Sequence, residues 1–393
     1  MPYILRQLES ELRRQVERSR SVLLLGPRQT GKTTLIGRLQ SDLSLSLIRP
    51  DVRQRYERDP GVLAGEVEAI GLESRSRRRP LVILDEVQKV PILLDVVQDL
   101  VDRKIATFVL TGSSARKLRR GDSINLLPGR VAALRLDPLT TAELGESDLE
   151  RLLLYGSLPG IHSVSDLKDK DTDLASYVTT YLEEEVRAEA MVRSVGSFAR
   201  FLEYAASESG QIVNFTKLSQ EIGVAHTTIA AYYTILEDCL IAERVEPISS
   251  SPVRKKLTRT SKYLFFDLGV RRAAAREGPE LRRESAGFLF EQFVGLDLIR
   301  MGRSVSPAWK LHFWRDPDGP EVDWILASGK EYIPIEVKWT PTPGASDIKH
   351  IQVFLDEHRN AHNGFVVCRA PRRVQLTNRI QAIPWQELPT LFQ

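Results

Sequence analysis

At 393 residues the chain exceeds one small domain, and two to four are expected. A composition of 42% hydrophobic and 27% charged residues is that of an ordinary globular protein, and a net charge of only +3 confines any attraction for nucleic acid to local patches. The two cysteines, Cys239 and Cys368, lie far apart in apolar runs, which excludes a disulfide scaffold and predicts buried free thiols in a reducing compartment.

Residues 4–19 predict a helix with Leu5, Leu8, Leu12 and Val16 on one face. The apolar run Val22-Leu23-Leu24-Leu25 follows and enters Gly26-Pro27-Arg28-Gln29-Thr30-Gly31-Lys32-Thr33, a G-x-x-x-x-G-K-T pattern, before Thr34-Leu35-Ile36 opens a helix. A buried strand, a glycine loop and a helix in that order are what a phosphate-wrapping loop requires, so residues 26–34 are the candidate ATP site. Gly26 and Gly31 permit the tight turn and close backbone approach, Lys32 can reach the β- and γ-phosphates, and Thr33 offers a hydroxyl to Mg²⁺. A second strand is expected at Leu45–Ile48, then a helical region around 59–63 and a solvated arginine-rich loop from Arg75 to Arg79. Leu81-Val82-Ile83-Leu84 reads as a strand buried on both faces, delivering Asp85 and Glu86 at its carboxyl end beside the phosphate loop. Asp85 suits the Mg²⁺ ligand shell, and Glu86 suits polarisation of the attacking water. Thr107–Gly112 is a third buried strand ending in the hydroxyls of Ser113 and Ser114, which could sense a γ-phosphate, and Val131–Leu136 is one more. Between them, Arg130 is the first choice for an arginine stabilising phosphoryl-transfer charge, in cis or across a subunit boundary, and Arg116 the second.

The segments GPRQTGKT, LVILDEVQKVP, FVLTGSSARKL and LLPGRV together resemble the AAA+ ATPases of bacteria and archaea, more narrowly those joined to a C-terminal domain of uncharacterised function. The resemblance spans nearly the whole chain and is specific in the ATPase half. It carries the acid pair, the serine after the sensor strand and the Gly-Arg before the last strand onto Asp85, Glu86, Ser113 and Arg130. ATP, Mg²⁺ and a homo-oligomer, with a hexamer among the candidates, are what it implies. That group often has Leu-Asp after its second strand. This chain has Arg49-Pro50-Asp51, which leaves Asp51 without a role.

Residues 141–210 are helix-rich, with a break at Gly156-Ser157-Leu158-Pro159-Gly160, and are similar in position to the helical lid of such ATPases. Tyr177, Tyr181 and Glu185 recur at helical spacing, which reads as packing rather than as a binding stripe. Thr216–Ile222, Gly223 and a helix from His226 carrying Ile229, Tyr232, Tyr233, Ile235 and Leu236 form a helix-turn-helix pattern. Apolar runs 240–242 and 263–266 flank Arg254, Lys255, Lys256, Arg259 and Lys262, and the whole reads as a winged helix with a basic wing. DNA contact is expected, with Thr227 and Thr228 at bases or phosphates and the wing on the backbone, against the alternative of protein packing alone.

In the last third, Glu321–Leu326 and Tyr332–Trp339 are expected to pair across Ser328-Gly329-Lys330. Alternation puts Glu336 and Lys338 on one face, and hairpin pairing brings Asp323 to it. Two carboxylates and a lysine can hold a divalent cation and orient a water on a phosphodiester, with Glu291 from the preceding helix as a further metal ligand. The order Glu…Asp…Glu-x-Lys resembles the PD-(D/E)xK endonuclease-like superfamily. The expected fold is α/β: an AAA+ P-loop parallel-sheet core at 1–140, a helical lid at 141–210, a winged helix at 211–275 and a nuclease-like domain at 280–393. No signal peptide or membrane span is expected, and a cytoplasmic place follows. The functional reading is an ATP-hydrolysing protein that binds or processes DNA, with metal-dependent cleavage by the C-terminal domain a further expectation; the alternative is a regulatory ATP switch that binds protein or DNA partners without cutting.

Overall fold

The computed structural model describes residues 3–73, 78–114, 129–186, 195–248, 257–305, 307–317 and 319–392. It divides the chain into two units, residues 1–138 with 235–241, and residues 139–234 with 242–393.

In the first unit the apolar runs become β1 (Ser21–Leu25), β2 (Leu43–Ser46), β3 (Leu81–Asp85), β4 (Thr107–Gly112) and β5 (Val131–Arg135). All pair in parallel, in the order β2-β3-β4-β1-β5. Helices α1 (Leu8–Glu17), α2 (Lys32–Ile36), α3 (Pro50–Arg58), α4 (Gly61–Glu73) and α5 (Leu93–Asp102) accompany it. Every residue of β3 and β4 is buried, as continuous apolar runs in a covered parallel sheet require. Separate apolar clusters line its faces, one holding Tyr56, Val67, Val97 and Phe108, the other Leu12, Val22, Leu35 and Val109. β4 lies between β1 and β3, so the loops leaving β1 and β3 flank its carboxyl end, where ligands bind in open α/β sheets.

Some local expectations shift. The second strand ends at Ser46 instead of spanning Leu45–Ile48, because Leu43–Ser46 pairs with Val82–Asp85 and the Leu47 amide donates to the Asp85 carbonyl at 3.0 Å, closing the ladder. The first helix starts at Leu8, not residue 4. Pro50 starts an unforeseen α3, its fixed φ suiting the first helical turn.

The second unit is built on one eight-stranded mixed sheet. Its strands are β6 (Ala242–Pro247), β7 (Lys262–Phe265), β8 (Lys310–Arg315), β9 (Glu321–Ser328), β10 (Glu331–Val337), β11 (Gly364–Cys368), β12 (Val374–Gln375) and β13 (Ile380–Pro384), in the order β12-β13-β11-β10-β9-β8-β6-β7. Along β9, Trp324 and Leu326 join a cluster with Leu289, Phe290 and Phe293 of the helix Arg283–Ser304. Ile325 points the other way, into a cluster with Ile351 and Phe354 of the helix Lys349–Glu357.

The helix-turn-helix pattern folds as Phe215–Ile222, Gly223 at φ +78°, and His226–Asp238, with Asn214 capping the first helix through the Lys217 amide at 3.0 Å. The β6–β7 hairpin that follows is not a free wing. β6 also pairs in parallel with β8, so the hairpin is an edge of the large sheet. Leu149, Leu152 and Leu153 share one core with Val245, Leu264 and Phe293. The buried Arg300 guanidinium donates to the carbonyls of Leu139 and Phe266 and to the Ser157 hydroxyl, at 3.1, 2.7 and 2.9 Å. The stretches expected as lid, winged helix and C-terminal domain therefore share one core and one polar network. Tyr177 and Tyr181 are buried and meet edge to face at 5.2 Å, as packing residues do; the side chain of Glu185 lies outside the described residues.

Candidate functional site

Two constellations of functional side chains form, one in each unit. In the first, Gly26 leaves β1 so close to the next crossover that an added Cβ would sit 2.3 Å from the Leu136 carbonyl oxygen. Gln29 at φ +62° and Gly31 at φ +94° complete the turn into α2. Pro27 and Thr30 are buried, and the Thr30 hydroxyl donates to the Pro27 carbonyl at 2.9 Å. Gln29, Thr33 and Thr34 are exposed and Arg28 is half-buried. The Lys32 ammonium folds into the loop, donating to the carbonyls of Gly26 (2.8 Å) and Pro27 (3.0 Å) with Glu86 Oε1 at 3.9 Å. Burial pushes its pKa down, opposed by the charges of Glu86 and Asp85.

The Thr33 hydroxyl donates to Asp85 Oδ2 at 3.0 Å, and the Thr111 hydroxyl to Asp85 Oδ1 at 2.6 Å. Glu86 takes a left-handed backbone, φ +59°, that a non-glycine residue adopts only at a cost, and its amide donates to Thr111 Oγ1 at 2.9 Å. Ser113 Oγ donates to Glu86 Oε2 at 3.0 Å. Lys32, Thr33, Asp85, Glu86 and Ser113 thus converge at the carboxyl ends of β1, β3 and β4.

Arg130 does not join them. Val131 pairs with Ser21 at the amino end of β1, so Arg130 lies a full strand, roughly 16 Å at about 3.3 Å per residue, from the loop's edge of the sheet. It pairs with Asp102 at 2.6 Å. The cis role expected for it does not fit this placement, because parallel strands carry their loops to opposite edges. Arg116 lies outside the described residues.

In the second unit the β9–β10 hairpin forms with Ile335 opposite Trp324, which brings Asp323 level with Glu336. Asp323 Oδ2 accepts from the Val337 amide at 2.8 Å, and Lys338 Nζ donates to Glu336 Oε2 at 2.7 Å. Glu336 is buried, and its Oε1 has no hydrogen-bond partner. Burial first, then the charge of Asp323, push its pKa up to about 9 against the pull of Lys338. Glu291 is raised to about 7 by burial and Asp323, with Lys262 opposing. Lys262 pairs with Glu291 Oε1 at 3.0 Å and sits over the Trp324 ring at 4.8 Å. Among the described residues no three acids, histidines or cysteines gather in a metal-holding arrangement. Asp323, Glu336 and Lys338 come together, and Glu291, near enough for the Asp323 charge to raise its pKa, is ion-paired to Lys262.

Residues 18–145 match the family model described as an AAA domain. Over that stretch the chain is similar to AAA domains. Residues 146–281 and 286–388 match two further models, each described as a domain of unknown function, DUF8612 and DUF4143. The uncharacterized proteins Mb2031c of Mycobacterium bovis and Rv2008c of Mycobacterium tuberculosis are each 29% identical over 400 residues, covering 98% of this chain and 84% of the relative. Among solved structures, the Aeropyrum pernix ORC1 protein in complex with DNA aligns at 14% identity over 70% of this chain and 94% of its own, with a TM-score of 0.28. A TM-score that low speaks for neither a shared fold nor a shared partner.

At the helix-turn-helix, His226 and Thr227 are exposed and Thr228 half-buried. Arg254, Lys255 and Lys256 lie outside the described residues. Lys262, expected in the basic wing, is committed to Glu291 instead. No helix among the described residues is long and apolar enough to cross a membrane.

Three residues near the phosphate loop were not singled out from sequence. Arg6 is buried and clamps the Thr30 and Asp137 carbonyls at 2.7 and 2.6 Å. Arg135, level with Leu25 at the loop's edge, pairs with Asp137 at 2.8 Å. Gln88 joins Glu86 to Ser113. The only trace of Gln88 in the sequence is its place two residues after the acid pair.

Proposed function

We propose that this protein binds ATP at residues 26–34 and hydrolyses it, and that the second unit couples this turnover to DNA. The observation that carries the reading is the convergence of Lys32, Thr33, Asp85, Glu86 and Ser113 at one end of the parallel sheet. Lys32 supplies the cation for the β- and γ-phosphates once released from the Gly26 and Pro27 carbonyls. Its hydrogen-bond partners are uncharged carbonyl oxygens, with the Glu86 carboxylate farther off at 3.9 Å, so exchange of those carbonyls for phosphate is favourable. Thr33 and Asp85 fit a Mg²⁺ site, since their oxygens already meet at 3.0 Å next to the loop. Mg²⁺ there supplies neutralisation of charge on the phosphate oxygens. Glu86 takes the position of a water-orienting base, and Ser113 that of a γ-phosphate sensor. Arg130 is assigned across a subunit boundary in a homo-oligomer, a hexamer among the candidates.

For the second unit, we assign DNA contact to His226–Thr228 and to the basic residues 254–256 and 259. Asp323, Glu336 and Lys338 form a candidate phosphodiester-cleaving site that takes a divalent cation. A reading without cleavage is favoured by one observation, the ion pair at 3.0 Å in which the Glu291 carboxylate already has Lys262 as its cation. Assaying ATP turnover with single-stranded, duplex and branched DNA, with and without Mn²⁺, separates the readings. Stimulation with divalent-dependent cutting supports a nuclease, stimulation alone supports a switch acting on DNA, and no response to any DNA refutes the DNA reading and leaves a switch that acts on protein partners.

A further inference from the structure

The nucleotide site holds a buried polar side chain that none of the roles above uses. Gln88 follows β3 in a short 3₁₀ turn, Val87–Lys89, and is only 4% exposed. Its Nε2 donates to Glu86 Oε2 and to Ser113 Oγ, the latter at 3.0 Å, while Ser113 donates to the same Glu86 oxygen. A carboxylate only accepts, so the nitrogen must face Glu86 and the amide oxygen must point away. That oxygen, Gln88 Oε1, is buried with no hydrogen-bond partner, and so is the neighbouring Ser114 hydroxyl. Buried polar atoms are nearly always satisfied, and exceptions gather where a ligand or a catalytic water completes the set. The strained backbone of Glu86 points to the same place, since such conformations persist where surrounding contacts hold them for function.

We infer that Gln88 is a positioning residue for ATP hydrolysis, its amide nitrogen fixing the Glu86 carboxylate and the Ser113 hydroxyl as one unit. The inference rests on the proposed ATPase reading of this site. In the step concerned, the water oxygen bonds to the γ-phosphorus and the bond to the β-phosphate oxygen breaks. ADP leaves, and the water's proton passes to the Glu86 carboxylate. Gln88 touches neither phosphate nor leaving group; it aims the acid.

The test is the full-length Gln88→Leu protein, close in side-chain volume, alongside Gln88→Glu, which replaces the amide NH2 donor with an acceptor oxygen and repels Glu86. ATP affinity should stay within about threefold of wild type while kcat falls by about 10- to 100-fold, the scale of a misplaced reacting group. In a Glu86→Gln background, Gln88→Leu should slow turnover no further, because its effect runs through Glu86. A purely structural role would weaken ATP binding and thermal stability together and slow the Glu86→Gln protein as much as the wild type. Wild-type kcat in whichever of the two variants folds would overturn the inference while leaving the ATPase reading intact. Equal turnover by Glu86→Gln and wild type would instead remove the reading beneath it.

Discussion

Glu336→Gln should make the second unit more stable at alkaline pH and change little at pH 5. In the metal-free protein, burial and the adjacent Asp323 raise the Glu336 pKa from an ordinary 4.5 to about 9. Below the unfolded value both states carry the proton. Between the two values the folded state keeps a proton that the unfolded chain releases, so stability falls as pH rises, by up to about 1.4 kcal/mol per unit. Glutamine has no such proton to keep. From pH 5 to pH 8 the variant should therefore gain on wild type by roughly 2–4 kcal/mol, the lower end reflecting Lys338 and local relaxation. Urea unfolding with a chelator measures it, followed by tryptophan fluorescence. All five tryptophans, Trp309, Trp314, Trp324, Trp339 and Trp385, belong to the second unit and report on it alone. Mn²⁺ added at pH 8 should stabilise the wild type by about 2.7 kcal/mol at a hundredfold excess over its Kd, and leave the variant unmoved. Parallel pH curves for the two proteins would refute the reasoning. Glu336 would then not be a buried, Asp323-coupled acid.

Gly26→Ala should abolish ATP binding with little loss of fold, because the new methyl sits 2.3 Å from the Leu136 carbonyl and the loop must move; isothermal titration reads it. Arg300→Met should destabilise the second unit by about 3–5 kcal/mol in the same urea assay, since it strips two buried carbonyls of a donor and leaves Asp267 and Asp297 without their nearby cation. Arg130→Ala should bind ATP normally and hydrolyse it poorly, and mixing it with Lys32→Ala chains should restore part of the rate. No restoration at any ratio would argue against a role across subunits.

The sequence made the first unit legible because its signals are local. A buried strand running into GPRQTGKT, or into Asp85-Glu86, fixes both the element and the edge of the sheet on which its residues emerge. The β9–β10 hairpin was legible for a similar reason, strict alternation on either side of Ser328-Gly329-Lys330. What escaped depended on partners distant in the chain. Arg130 stands out in the sequence by its Gly-Arg just before the last core strand, and only the parallel register, Val131 beside Ser21, puts it at the far edge. Lys262 looked like one cation of a basic wing until the helix Arg283–Ser304 brought Glu291 to it. The fusion of the β6–β7 hairpin to β8 likewise has no local signature, since it joins residues more than sixty positions apart. Gln88 reads as an ordinary polar residue until Ser113, from a different strand, closes the triangle with Glu86.

The central claim is that residues 26–34 with Glu86 form a working ATPase site, and paired measurements on Lys32→Ala and Glu86→Gln test it most directly. Titration with a fluorescent ATP analogue and steady-state phosphate release should separate them. Lys32→Ala should lose binding and turnover together, having lost the loop's phosphate cation. Glu86→Gln should bind as well as wild type and hydrolyse at least 100-fold more slowly, since general-base contributions are about 10²–10⁴-fold. Tight binding by Lys32→Ala, or full turnover by Glu86→Gln, would contradict the account.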